Sequence, residues 1–264
     1  MDGLQIPVEP EAVARGQELV KGLAACGFCH GAAPDPSAPL TGGRKFYDLY
    51  GEVNSPNLTP AASGLKDWSV IEIMKGIKSA QGRDETLLSA EAHSSYEWMS
   101  DRDTLAIIAY LRALPAVENE VERRSVSSID RNTKGFFESR SDDVSYVPEI
   151  DRRHAVQYGG YLVDHVARCV TCHNGPTSLF GGAEYLAGGT AVRIEEGEKL
   201  APGIGPSPED GLGQWSEADI INYLKSGHTP RADETDAKFC PTRFYAKASQ
   251  RDLEAIAKFL KSLK

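Results

Sequence analysis

An all-α fold of two tandem domains, with long Gly- and Pro-rich loops in each, is what three features of this 264-residue chain predict. The pentapeptide Cys-x-x-Cys-His occurs at Cys26–His30 and again at Cys169–His173. The residues around the two copies repeat in the same order over more than a hundred positions. Helix-start signals and apolar stripes of helical period recur at matching places in both copies.

The pentapeptide carries the chemistry. Two thiols three positions apart can each form a thioether with a porphyrin vinyl group, and the adjacent His then lies under the iron, so Cys-x-x-Cys-His reads as covalent c-type heme attachment. A redox Cys-x-x-Cys, half a zinc site or a pair of disulfides would not require a His after the second Cys both times. The expected cofactors are therefore two covalent hemes c with their iron. Cys26, Cys29, Cys169 and Cys172 are the attachment residues, and His30 and His173 the proximal ligands. Loops rich in Gly and Pro would be costly in a small helical domain unless something large and apolar filled its centre, and a heme has that size.

The repeat sets the domain boundaries. Gly16-Gln17-Glu18-Leu19-Val20 stands ten residues before the first Cys, as Gly159-Gly160-Tyr161-Leu162-Val163 does before Cys169. Leu40–Gly43 answers to Leu186–Gly189, Pro56–Pro60 to Pro202–Pro206, and Gly64–Ser69 to Gly211–Ser216. One domain is expected over residues 1–116 and another over 155–264. Residues 117–154 form a linker, polar at Glu118–Arg124 and Ser139–Asp143 but carrying Phe136-Phe137 and Tyr146-Val147, so an ordered strap is expected there.

Within each copy the helices follow. Ser69 with Glu72, Ser216 with Asp219 and Ser100 with Asp103 have the N-cap pattern of a hydroxyl followed by an acid in the first turn. Thr104, Ile107, Ile108 and Leu111 form one apolar stripe, and Leu253, Ile256, Ala257 and Leu260 its counterpart. A further helix precedes each pentapeptide, around 11–25 and 154–168. Trp68 and Trp215 are expected to pack on the hemes or the following helices. Gly181-Gly182 and Gly188-Gly189 lack the setting of a phosphate cradle and read as turns that let backbone approach the porphyrin.

Composition narrows the partners. The formal charge is −9, from 38 acidic and 29 basic residues, which makes nucleic acid a poor partner and a basic patch on a redox protein a suitable one. The same charge also serves solubility. No apolar run approaches a membrane span, and a lipid anchor outside this sequence stays an open alternative. No secretory signal is visible at Met1–Leu4. Covalent heme attachment nevertheless takes place outside the cytoplasm, so a periplasmic or otherwise exported, processed chain is expected.

With these residues in place, the chain resembles the tandem diheme class I cytochromes c, similar to the cytochrome subunits of periplasmic alcohol and aldehyde dehydrogenases. The paired pentapeptides, Pro56–Pro60, Gly64–Ser69 and Tyr96–Asp103 carry the likeness. In that family the sixth iron ligand is usually a Met in a Met-Pro pair, five residues before a Tyr. This chain departs from the pattern twice. Cys240-Pro241 stands five residues before Tyr245, so the resemblance puts the fifth cysteine at an axial position; a small buried hydrophobe or an odd reactive thiol are the other readings. Arg231 or Arg243 is placed to offset a thiolate charge, unless each is simply solvated. In the first copy the position is Glu91, with Ala92 for Pro, and the nearest competent donors are His93 and Met99; an open site is the remaining alternative. Met74, His154, His165 and His228 fit no ligand spacing.

The expected function is electron transfer between redox partners, such as a dehydrogenase, another cytochrome or an oxidase, through hemes with unlike axial ligation, His/His and His/Cys. A thiolate would stabilise Fe(III) and lower the second potential. Two alternatives stay open: an enzyme oxidising a small sulfur compound such as thiosulfate, and a heme-based redox or ligand sensor.

Overall fold

The structure, a computed structural model, describes residues 9–83, 88–134, 145–176 and 182–264. Phe136-Phe137, Ser139–Asp143, Gly181 and the N-terminal Met1–Leu4 lie outside them. The chain divides into two compact units: one holds the residues up to Lys21 and Cys26–Glu149, the other Gly22–Ala25 and Ile150–Lys264.

In the first unit, α1 (Pro10–Lys21) leads into the five-residue α2 (Cys26–His30). An antiparallel hairpin follows, β1 (Lys45–Asp48) and β2 (Gly51–Asn54), with Phe46 opposite Val53 and Asp48 opposite Gly51. Then come α3 (Val70–Ser79), the short α4 (Ala90–His93), a 3-10 turn at Tyr96–Trp98 and α5 (Asp101–Ala113), with α6 (Ser128–Lys134) beyond.

The second unit repeats the order. Its α7 (Ala155–Tyr161) runs on through a π-helical turn at Leu162–Val166 and leads to α8 (Cys169–His173). A hairpin of β3 (Ala191–Ile194) and β4 (Gly197–Leu200) comes next, then α9 (Glu217–Ser226), α10 (Thr242–Tyr245) and α11 (Gln250–Ser262). The hairpins correct the all-α expectation. Each strand is four residues long, too short for an alternating pattern to stand out from a Gly-rich loop.

Each core is built on one helix crossing, α1 on α5 and α7 on α11. The stripe Thr104, Ile107, Ile108 and Leu111 is buried, as are Leu253, Ile256, Ala257 and Leu260. Glycine permits the close approach. A Cβ on Gly16 would lie 1.9 Å from the Ala106 carbonyl oxygen, and one on Gly159 would lie 2.0 Å from that of Ala255. The acid in the first turn of each closing helix is satisfied differently. Asp103 pairs with Arg15 at 3.0 Å, whereas Asp252 accepts from the Tyr158 hydroxyl at 2.8 Å.

The predicted caps form. Ser69 and Ser216 each make a full capping box, and Ser100 accepts from the Asp103 N–H. The segment after α5 lies on the first unit through polar contacts. The Val117 carbonyl accepts from Asn57 and Thr59, and the Glu118 carboxylate accepts the Ala62 and Ser63 N–H groups, each at 2.9 Å. Further on, Asp101 pairs with the buried Lys78 at 2.8 Å, its backbone N–H donates to the Val147 carbonyl, and its carboxylate accepts the Val147 N–H. Val147 is buried and the Tyr146 ring is exposed, so the apolar anchor there is the valine. Among the described residues, no helix is long and apolar enough to cross a membrane.

Candidate functional site

Both pentapeptides form a single short helix, which puts the two thiols of each on adjacent positions of one turn. Each is entered through a left-handed residue that is not glycine, Ala25 at φ 44° and Arg168 at φ 52°. Such backbone is uncommon for residues with a Cβ, and its occurrence at the same point twice marks a fixed entry angle into the motif.

The histidine of each motif is clamped from two sides by the same pair of loops. The His30 carbonyl accepts from the Gly42 N–H at 2.8 Å, and its Nδ1 meets the Pro56 carbonyl at 2.9 Å. His173 does the same with Gly188 at 2.7 Å and Pro202 at 2.7 Å. A carbonyl only accepts, so Nδ1 carries the proton in both rings and Nε2 carries the lone pair that a metal requires. Gly42 and Gly188 serve a contact between loops. Gly42 and Gly188 have positive φ, and a Cβ on either would strike the facing Pro56 or Gly203 backbone. They let loop approach loop so that the histidine is held. Burial depresses the His173 pKa, with the Pro202 hydrogen bond opposing it, which favours the neutral, ligating ring.

The structure brings His93 close to His30. The ring centres are 6.4 Å apart with planes at 82°. Two imidazoles on opposite sides of one metal ion, with bonds of about 2 Å and roughly 1.1 Å from nitrogen to ring centre, would have centres about 6.2 Å apart. The His93 Nδ1 meets the Ile77 carbonyl at 3.3 Å, which again leaves the lone pair on Nε2. Its ring also contacts Tyr96, with centres 6.1 Å apart. Glu91 is exposed, and Met99 is fully buried in the core with Met74.

In the second unit Cys240 lies close enough to Cys169 and Cys172 for their charges to interact. Burial pushes the Cys240 thiol up to about 12, with the Cys172 charge adding to the shift and a hydrogen bond from Tyr223 opposing it. Cys169 is likewise pushed up to about 12, chiefly by burial. As free side chains both are neutral thiols; a thiol that coordinates a metal would be deprotonated outright, whereas one joined to a vinyl group as a thioether has no proton to lose. The Tyr223 hydroxyl, which hydrogen-bonds the Cys240 side chain, also meets Thr235 Oγ1 at 2.9 Å, and its ring packs edge-on against Trp215. Trp215 therefore packs on the following helix, as expected. Arg231 and Arg243 are solvent-exposed.

The other histidines stand apart. His154 is exposed beside Asp151, His165 contacts Tyr161, and the His228 Nδ1 meets the Ser226 carbonyl. Among the described residues, no group of three or more His, Cys, Asp or Glu side chains is placed to hold a bare metal ion. The donor set suits an ion already carried in a macrocycle: two thiols to tether it and one or two axial donors. Pro56, Pro202, Gly42 and Gly188 are the site residues that sequence reasoning did not assign to the histidines, although the repeat had aligned all four.

Residues 13–115 match the family model for cytochrome c. The chain is 28% identical over 231 residues to the fructose dehydrogenase cytochrome subunit of Gluconobacter japonicus, covering 84% of this chain and 46% of that protein. It is 28% identical over 248 residues to a diheme cytochrome c-type protein of Cereibacter sphaeroides, covering 89% of this chain and 81% of the relative. A third relative is the cytochrome c subunit of the quinone alcohol dehydrogenase of Gluconobacter oxydans, 28% identical over 96% of this chain and 55% of its own length. The chain spans about half the length of the first and third of these. It carries a cytochrome c domain, whose pentapeptide implies covalently bound heme c, and is related to the cytochrome c subunits of dehydrogenases.

Proposed function

We propose that this protein is an exported diheme cytochrome c that relays single electrons from a dehydrogenase partner to a second redox protein, such as another cytochrome or an oxidase. In this reading residues 1–116 and 155–264 are two heme domains, 117–154 is the strap between them, and the sixth ligands are His93 in the first domain and Cys240 in the second. The observation that carries it is the matched clamp on His30 and His173, which gives both motifs the same ligating tautomer.

When bound, heme supplies a one-electron Fe(III)/Fe(II) couple. The chain's own part is to tether it through Cys26 and Cys29 or Cys169 and Cys172, to hold the proximal imidazoles, and to set the two couples apart. His93, fixed by the Ile77 carbonyl, is a neutral donor. Cys240 as thiolate is an anionic one, which favours the ferric state and lowers its couple relative to the first. Tyr223, donating to that sulfur, tempers the charge. The dehydrogenase partner rests on the relatives, which are named as subunits of such enzymes.

The test is heme counting and a spectroelectrochemical titration of the exported holoprotein. The expected result is two hemes per chain and two separated one-electron transitions, of which His93→Ala moves one and Cys240→Ala the other. One heme per chain, or transitions that neither variant moves, would overturn the reading.

A further inference from the structure

We propose that Asn57 and Asn119 are positioning residues for His30: they tie the segment after α5 to the two loops that clamp this imidazole, and so set the hydrogen bond on its Nδ1. The inference rests on His30 being the proximal ligand of the first heme.

Both clamping loops are without helix or strand where they meet the histidine. The Gly42 N–H and the Pro56 carbonyl are therefore placed by whatever else the loops touch. Each loop is met by the strap one residue away from its contact with His30. Beside Gly42, the Thr41 carbonyl accepts from Asn119 Nδ2 at 2.9 Å. Beside Pro56, Asn57 Nδ2 donates to the Val117 carbonyl at 2.9 Å. A carbonyl only accepts, so both amides are oriented by these contacts. Asn57 Oδ1 is then left to accept the Thr59 N–H and hydroxyl, at 2.9 and 2.8 Å. The Val117 N–H returns to Thr59 Oγ1 at 3.2 Å, and the Asn119 N–H reaches Ser63 Oγ at 2.9 Å. Asn57 and Thr59 are buried, each at 2% exposure, where an amide or hydroxyl left unpaired is costly. Two asparagines thus join one short stretch of strap to both sides of the clamp.

The repeat supplies an independent observation. Asn57 and Thr59 answer to Gly203 and Gly205. In the second unit the loops close on each other directly, for the Ile204 and Gly205 N–H groups both donate to the Leu186 carbonyl, at 2.9 and 3.0 Å. A Cβ on Gly203 would lie 2.9 Å from the Ala187 carbonyl oxygen, so that approach has no room for an asparagine. The first unit keeps the former bond, Leu58 N–H to the Leu40 carbonyl at 2.8 Å, whereas the Thr59 N–H is turned to the Asn57 side chain. One clamp is closed by its own backbone, the other through two side chains and the strap. A carbonyl held on Nδ1–H makes an imidazole a stronger donor to iron. Where the loop drifts away, the donor weakens, Fe(III) is stabilised less and the couple rises.

The test uses the holoprotein, with the His30 Nδ1 proton followed by NMR in the reduced state and the couples by spectroelectrochemical titration. Asn119 is half-buried and is the deciding position. Asn119→Ala, and Asn119→Asp, whose ionised side chain cannot donate, are expected to speed exchange of that proton about threefold. One couple should rise by the same factor, about 30 mV, within the worth of one hydrogen bond. The His173 proton should not respond. Ser69→Ala, which loosens the same unit at a cap away from these loops, should move neither reading. If it speeds the His30 proton as much as Asn119→Ala does, the asparagine is merely structural and the proposal fails. Exchange and couples unchanged in both Asn119 variants would overturn the proposal and leave His30 as ligand, and a chain that carries no heme at Cys26–His30 would overturn both.

Discussion

At the scale of single residues, the same position in the repeat is given different chemistry in each unit. Tyr223 on α9 stands where α3 has Gly76, and its hydroxyl reaches the side chain of Cys240. Removing that donor in Tyr223→Phe should leave the thiolate charge less compensated. The second couple is expected to fall by about 60 mV, a tenfold change for one electron, with the first unmoved, in a spectroelectrochemical titration. Asp48 gives a prediction in pH. Burial alone would raise its pKa, but Arg124, Ser89 and the Tyr50 N–H together bring it below the ordinary carboxylate value. A carboxyl depressed in the folded state stabilises fully above its unfolded pKa of about 4 and loses that contribution as the pH falls through the lower folded value. The first unit should therefore weaken in acid, and Asp48→Asn should flatten that limb in denaturation followed between pH 2 and 7. The thiols and the histidine of each pentapeptide could be read from residue type and spacing, whereas His93 was a candidate through the family resemblance alone. The partners of Asp48 could not, since they come from a hairpin, a strap and a loop far apart in sequence.

At the scale of elements, helix ends and helix contacts explain most of what the repeat preserves. The capping boxes at Ser69 and Ser216 were legible because a cap is a local arrangement, decided within four residues. Substituting either serine with alanine should cost about 1 kcal/mol. The helix crossings set a stricter condition. Gly16→Ala or Gly159→Ala would drive a methyl group into a carbonyl oxygen of the facing helix, and each is expected to destabilise its unit by about 3 kcal/mol or more, measured by chemical denaturation. The hairpins were not legible. Lys-Phe-Tyr-Asp and Gly-Glu-Lys-Leu are too short to show a period, and what identifies them is pairing with a neighbour. The loop clamps on His30 and His173 lay between these cases, visible as repeated Gly and Pro, while the convergence of these loops on the histidines shows only in three dimensions.

At the scale of the whole molecule, two units share an element order and a clamp on the motif histidine while differing in the donor each brings near its motif. The first presents an imidazole held by a helix-end carbonyl and a capped turn, and the second a buried thiol beside a tyrosine hydroxyl. In the proposed reading, two identical copies would give two similar couples, whereas unlike donors would set them apart. The charge of −9 suits docking on a basic redox partner. Unlike sixth ligands are the centre of the proposed function, and low-temperature electron paramagnetic resonance of the oxidised holoprotein tests them most directly. Two low-spin ferric signals are predicted, one lost in Cys240→Ala with the other intact, and the reverse in His93→Ala. A native spectrum left unchanged by both substitutions would contradict it.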